Sequence, residues 1–299
     1  MIRIANAPCS WGVLEYESKT DSPDYTRVLD EITGSGYAGT ELGDWGFMPT
    51  DPILLREEVE RRGLALLAAF VTTRLAEPGT YDDGVRKAVT TARLLSEVSG
   101  TSPLVVLSDE PAADPVRARH AGRIQSSESL SGTQWDIAAH HVDRLARAVR
   151  EDAGLRTVFH HHCGAYVETA DEVDALMQRI DESVVGLCLD SGHITYAGGS
   201  PVDLLSRYGA RIWHVHFKDC EPGIAVRARQ EGWDYPTAVR RGVFCELGKG
   251  AVDFPALLQT LHEQRYAGWI VVEQDMLPSM GSPFDSAHRN REYLRALGV

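Results

Sequence analysis

Eight short apolar runs alternate with eight amphipathic ones along these 299 residues, and no other feature restricts the fold so tightly. The short runs are 2–7, 39–42, 64–71, 104–107, 157–160, 185–190, 212–217 and 269–273. Their length and near-continuous hydrophobicity suit strands buried on both faces. Between them, residues 22–34, 51–62, 81–98, 133–152, 170–180, 201–208, 253–264 and 283–296 repeat apolar side chains every three or four positions. Val85, Ala88, Val89, Ala92, Leu95 and Val98 form one such stripe. Several of these stretches open on capping signals: Ser22 before Pro23, Thr50 before Asp51-Pro52, and Thr169 before Ala170-Asp171-Glu172. Strands that show no polar face need helices on both sides of a parallel sheet. The expected architecture is therefore α/β, a single (β/α)8 TIM barrel over residues 1–299. A doubly wound open sheet would carry a Gly-rich first turn, whereas here that turn reads Pro8-Cys9-Ser10-Trp11-Gly12.

Two segments, 108–132 and 220–247, are too long for simple connections. Both follow strand ends, which in a barrel puts them over the active-site mouth as lids or substrate walls. A hydrophobic content of 43% leaves ample core, and a net charge of −13 repels phosphate backbones and anionic lipid. Neither nucleic acid nor membrane is an expected partner. The five cysteines, Cys9, Cys163, Cys188, Cys220 and Cys245, form no C-x-x-C pair, so a disulfide framework or zinc ribbon is not expected. The opening MIRIANAPCSWGVLEYE lacks a basic start followed by a long apolar run, so no signal peptide is expected and the location is read as cytoplasmic. Oligomeric state, including a homo-oligomer, is left open.

Catalytic groups in such a barrel cluster at strand C-termini. Those ends carry Glu41, then His160-His161-His162, then Asp190 and His193, then His214, His216 and Lys218, and finally Glu273. Eight of the eleven histidines fall between His140 and His216. Alternation gives His214, His216 and Lys218 one face, and Trp213, Val215 and Phe217 the other. Two imidazoles and a cation inside a lumen need a polar reason to be there. Each group also has an ordinary reading: Glu41 as a cap, Asp190 as the N-cap of a turn, one of the histidines as a satisfied core residue. Four donors on consecutive strand ends outweigh those readings. Imidazole and carboxylate together suit Mn, Co, Fe or Zn at a catalytic site, with His160, Asp190, His216 and Glu273 as the expected ligands. Glu41, His162, His193 and Lys218 are the acid, base and electrostatic candidates, with Glu41 favoured as a base or substrate hydrogen-bonder, His162 as the proton donor to a leaving hydroxyl and Lys218 as the electrostatic partner. Asn6, Trp11, Trp45, Phe70 and His214 are taken as substrate contacts; the aromatics among them would serve equally as core.

At these positions the chain resembles a known family. LDSGH followed by TYAGG, then HVHFKD and GWIVVEQD, are similar to phrases of the sugar-phosphate isomerase/epimerase superfamily, with its xylose isomerase-like barrel. NAPCSWG, GYAGTELG, HHHCG-x4-T and PTAVRRGVF-x3-GKGAVDF resemble the inosose (2-keto-myo-inositol) dehydratases within it. The resemblance implies a metal-dependent carbon–oxygen lyase acting on a polyhydroxylated cyclic ketone through an enediolate, with Mn or Co as the favoured ion. It places metal ligands on Asp190, His216 and Glu273. Where the wider superfamily has Glu in an E-N-H phrase, this chain has three histidines, which leaves open whether His160, His162 or neither is a fourth ligand. A keto-sugar isomerase or epimerase would use the same enediolate and is the alternative activity. An abasic-site endonuclease or a non-catalytic sugar-binding barrel is more remote, the former set against by the charge.

Overall fold

In the computed structural model, which describes residues 2–14, 23–100 and 102–299, the elements follow the expected alternation. In chain order they are β1 (Arg3–Asn6), α1 (Tyr25–Gly34), β2 (Gly39–Thr40), α2 (Pro52–Glu60), β3 (Ala65–Leu66), β4 (Ala68–Thr73), α3 (Tyr81–Val98) and β5 (Leu104–Asp109). There follow α4 (Pro115–His120), α5 (Gly132–Ala153), β6 (Arg156–His160), α6 (Ala170–Met177), β7 (Val185–Asp190), α7 (Ser191–Tyr196), α8 (Pro201–Tyr208) and β8 (Ile212–Phe217). The chain ends with β9 (Asp219–Cys220), α9 (Pro222–Glu231), α10 (Tyr235–Arg240), β10 (Phe244–Cys245), α11 (Phe254–Glu263), β11 (Trp269–Val272) and α12 (Pro283–Ala296).

The main sheet is wholly parallel and runs β3-β2-β1-β11-β8-β7-β6-β5-β4. Its two end members, β3 and β4, are consecutive pieces of the run expected at 64–71, so the order closes on itself as a barrel. The chain changes partner at Leu67: its N–H donates to Thr40 O at 2.9 Å, while its carbonyl accepts from Leu104 N at 2.9 Å. One strand thereby serves two neighbours and is counted twice. A small inner core that includes Ala5, Ala7, Leu67, Val106, Val158, Cys188 and Val271 fills the lumen, and the larger outer core lies between strands and helices. Capping corrects two expectations by small shifts. Asp51, not Thr50, caps α2 through Leu54 N, and α1 opens on Asp24; Ser22 lies outside the described residues. Thr169 caps α6 as expected, with Glu172 completing the box.

The segment 220–247 is not a bare loop. β9 pairs antiparallel with β10, and α9 and α10 lie between them over a separate apolar cluster of Tyr196, Trp233, Tyr235, Val239, Val243 and Phe244. Asp219 anchors this cap, accepting backbone N–H groups from Cys220, Gly248, Gly250 and Val252 at 2.8–3.1 Å. A Cβ at Gly250 would sit 2.3 Å from Asp219 Oδ1, so only glycine lets that backbone approach. The other long segment, 108–132, contains α4 and is fastened by buried Arg117, bidentate to Glu172 at 2.9 and 2.7 Å and bonded to Ala165 O. Among the described residues no helix is long and apolar enough to cross a membrane.

Candidate active site

Strands β6, β7, β8 and β11 are neighbours in the sheet, so their C-terminal residues meet. Asp190 is in register with His216, and Glu273, one past β11, donates its N–H to Phe217 O. His160, Asp190, His216 and Glu273 each offer a ligand atom, and these atoms lie within 4.8 Å of one another. His160 Nε2 is 3.6 Å from Asp190 Oδ2; His216 Nδ1 is 3.8 Å from Asp190 Oδ2 and 3.4 Å from Glu273 Oε1. Asp190 Oδ2 and His216 Nδ1 are buried with no hydrogen-bond partner. Buried electron-pair donors turned toward one another are costly unless something positive joins them. A divalent cation with mixed N/O ligands fits that donor set.

The other half of each group is occupied. Asp190 Oδ1 accepts the His193 N–H at 2.8 Å as the N-cap of α7. Glu41 Oε1 lies 2.7 Å from His214 Nε2 and 3.0 Å from His216 Nε2. Burial works against ionisation of Glu41 and Asp190. For Glu41 the imidazoles of His216 and His214 outweigh it, and for Asp190 the Lys218 ammonium and His160 do; both carboxyls are held down to about 2. Glu273 is held well below its ordinary range against the same burial by His216 and Lys218.

Lys218 continues the His214–His216 face. Its Nζ is 2.9 Å from Asp275 Oδ1, 3.1 Å from Glu273 Oε2 and 3.2 Å from His193 Nε2. Those carboxylates, with Asp190, overcome burial and keep it charged. A Cβ on Gly192 would fall 2.6 Å from Lys218 Cγ, so the glycine of the LDSGH phrase makes room for the lysine stem. Tyr235, from the cap, donates to Asp275 Oδ2 at 3.2 Å and so joins the cap to the lysine's partner.

The three histidines diverge although β6 ends at His160. His161 turns away, accepting the Asp190 N–H on Nε2 at 3.2 Å. His162 donates Nδ1–H to Cys163 O at 2.8 Å, which makes Nε2 its basic nitrogen. Its ring lies 4.0 Å, centroid to centroid, from that of His193. His193 Nδ1 stands 3.2 Å from the Cys163 N–H, and a neutral ring can accept from only one of that group and Lys218. Burial, then neighbouring His160 and the Lys218 ammonium, hold His162 well below its ordinary value; burial, His162 and Lys218 do the same for His193.

A cleft is lined by Glu41, Phe70, His160, His162, His193, His216, Lys218 and Glu273, together with Cys9 and Asp275. Asn6, Trp11, Trp45 and His214 are not on its wall. Asn6 is buried, its Oδ1 accepting the Ala7 N–H. Trp11 is core, with Nε1 donating to Glu31 at 2.7 Å: the indole is spent on helix α1. Trp45 is 42% exposed and lines a neighbouring groove that shares only Asp44 and Phe70 with the cleft. His214 sits behind Glu41. Sequence reasoning passed over Cys9, Asp275 and Tyr235. For Asp275 the signal existed, since it stands two residues beyond Glu273 and shares its parity.

An all-parallel closed barrel with a buried imidazole–carboxylate quartet at its mouth defines a class, and comparison with known proteins agrees. The profile described as xylose isomerase-like TIM barrel matches residues 29–297, and the chain belongs to that family. Among its full-length relatives is the inosose dehydratase of Geobacillus kaustophilus, 32% identical over 296 residues, covering 99% of this chain and 94% of the relative. The rhizopine catabolism protein MocC of Rhizobium meliloti is 34% identical over 301 residues, covering 100% and 89%. In fold the chain is similar to the probable 3-DHS dehydratase AsbF of Bacillus anthracis (TM-score 0.71, 15% identity, 99% of both chains) and to L-ribulose 3-epimerase (TM-score 0.70, 15% identity, 99% and 94%).

Proposed function

We propose that this enzyme is a divalent-metal-dependent dehydratase that removes water from a polyhydroxylated cyclic ketone, with inosose as substrate. The observation that carries the reading is the set of buried donors, Asp190 Oδ2 and His216 Nδ1 beside His160 and Glu273, converging on one cleft. The identity shared with inosose dehydratases over the whole chain supports the substrate class. His160, Asp190, His216 and Glu273 would hold the ion, which when bound supplies Lewis-acid polarisation of the ketone oxygen. The choice of His160 over His162 rests on their contacts, since His160 is the one beside Asp190 Oδ2.

The chain's own residues do the rest. His162, neutral through burial, takes the proton from the carbon next to the ketone on Nε2. Lys218, charged and pinned by Asp275 and Glu273, offsets the negative charge that then develops on the substrate oxygen. The imidazolium of His162 returns its proton to the β-hydroxyl as the C–O bond breaks, and water leaves. His193, packed on His162 and Lys218, orients both. Five free thiols suit a reducing compartment, which supports a cytoplasmic location.

The test is product mass. Cobalt-loaded protein given inosose should release a product lighter by one water, and Glu273→Gln should lose both the ion and the turnover. A keto-sugar epimerase or isomerase would return the proton to carbon. Unchanged mass with altered configuration would establish that activity instead.

A further inference from the structure

We propose that Glu41, backed by His214, is a positioning residue: it holds the His216 imidazole with Nδ1 presented to the ion. The inference rests on the metal-dependent reading above and assigns a place within it to two residues that hold no ion themselves.

Glu41 Oε1 lies within hydrogen-bond reach of two imidazole nitrogens, His214 Nε2 at 2.7 Å and His216 Nε2 at 3.0 Å. A carboxylate oxygen only accepts, so both rings must donate Nε2–H to it. A neutral imidazole that carries its hydrogen on Nε2 has its lone pair on Nδ1. In His216 that atom is the buried nitrogen without a partner, facing Glu273 Oε1 and Asp190 Oδ2. Glu41 therefore determines which nitrogen of His216 is the donor and at what angle the ring stands. This is the part a carboxylate behind a metal-bound histidine plays. Without it, the nearby Glu273 and Asp190 would draw the hydrogen to Nδ1, the one position where it obstructs an ion.

His214 completes the arrangement from below. Glu41, one residue past β2, must reach across the lumen to β8, where His214 and His216 lie on one face, both 2% exposed. The second donor fixes the carboxylate and compensates its buried charge. The same two bonds commit Oε1 to the two rings.

The experiment is a cobalt(II) titration followed by the visible spectrum and by competition with a chromophoric chelator, on wild type, Glu41→Gln, His214→Ala, His214→Gln and Glu273→Gln. One ion per chain is expected in wild type. Glu41→Gln should weaken cobalt binding ~10–100-fold, the range for removing such a partner, with an altered cobalt spectrum. At saturating cobalt it should still exchange the substrate's α-proton with solvent deuterium within about tenfold of wild type. His214→Ala should weaken binding less, and His214→Gln, which keeps an N–H donor, should restore it. The histidine pair keeps the test alive if Glu41→Gln does not fold. Unchanged cobalt affinity in Glu41→Gln and His214→Ala overturns the inference, as does loss of proton exchange in cobalt-saturated Glu41→Gln. A stoichiometry of two that falls to one in His214→Ala overturns it too, because Glu41, His214 and His216 would then hold an ion themselves. If wild type takes up no cobalt, the metal reading fails and this inference with it. Uptake that only Glu273→Gln abolishes leaves the metal reading standing alone.

Discussion

At the residue scale the cleft separates groups by what their second atom is tied to. Lys218 has three acidic neighbours and a histidine, so its charge is permanent and its position rigid. Lys218→Met should lower kcat by ~10²–10³-fold, the usual effect of removing one electrostatic stabiliser, while cobalt content stays near one per chain. A lowered Tm with kcat unchanged would instead make the lysine a structural counter-ion. The three consecutive histidines should respond differently. His160→Ala should lose metal. His162→Ala should keep metal but neither exchange the α-proton nor release water. His161→Ala removes the acceptor of the buried Asp190 N–H and should cost about 1–3 kcal/mol in denaturant unfolding, with turnover by the folded fraction little changed. If His161→Ala were the most damaging to turnover, the assignment of His162 would fall.

At the element scale, buried polar groups fasten the cap and the segment 108–132 to the barrel. Arg117 and Glu172 are 1% and 4% exposed and form a two-bond pair. Arg117→Met leaves the carboxylate buried alone and should destabilise by about 3–5 kcal/mol, whereas Arg117→Met with Glu172→Leu should recover most of it. Urea unfolding of the two variants checks this, and equal losses would show that the pair is not what fastens the segment. Helix starts and the cap show where sequence reading gave out. Asp24 and Asp51 cap their helices because their carboxylates reach the N–H groups two or three residues on, which one-dimensional reading misplaced by a residue or two. The stretch 220–247 reads only as a long connection because its helices pack on a small private cluster and carry no long stripe.

At the scale of the whole molecule, stability against pH is a sum of opposed shifts. Burial lifts Glu168 to about 7, while its two oxygens accept the Gly122 and Gly164 N–H groups. The unfolded carboxyl titrates at ~4.3, so between that pH and 7 the native state binds the extra proton and this residue's contribution falls as pH rises. The inner histidines act in the other direction. His161, lowered to about 3 by burial, is neutral in the native state while the unfolded ring takes a proton below ~6.5, so stability there rises with pH. Their sum hides Glu168, and the difference from Glu168→Gln isolates it. That variant, compared with wild type by urea unfolding, should gain relative stability steadily from pH 5 to 7.5, on the order of 2–3 kcal/mol over the interval. A pH-independent difference would mean that the carboxyl is not buried as the fold has it.

What the sequence by itself determined is everything that local periodicity carries. Strands that are apolar on both faces call for helices on both sides of a parallel sheet, and eight such units of this length close into a barrel. Parity along a strand puts His214, His216 and Lys218 on the inner face, and strand ends are where a barrel gathers its chemistry. The tertiary structure alone decided which of several donors touch. Glu41 is far in sequence from His214 and His216, and its part depends on one oxygen lying within hydrogen-bond reach of both. Trp11 could have faced sugar or core until Glu31 took its N–H. Asp275 and Tyr235 matter because the cap folds back over Lys218. Hydrogen-bond geometry is short-ranged and directional, so it exists only once elements distant in the chain have been brought together.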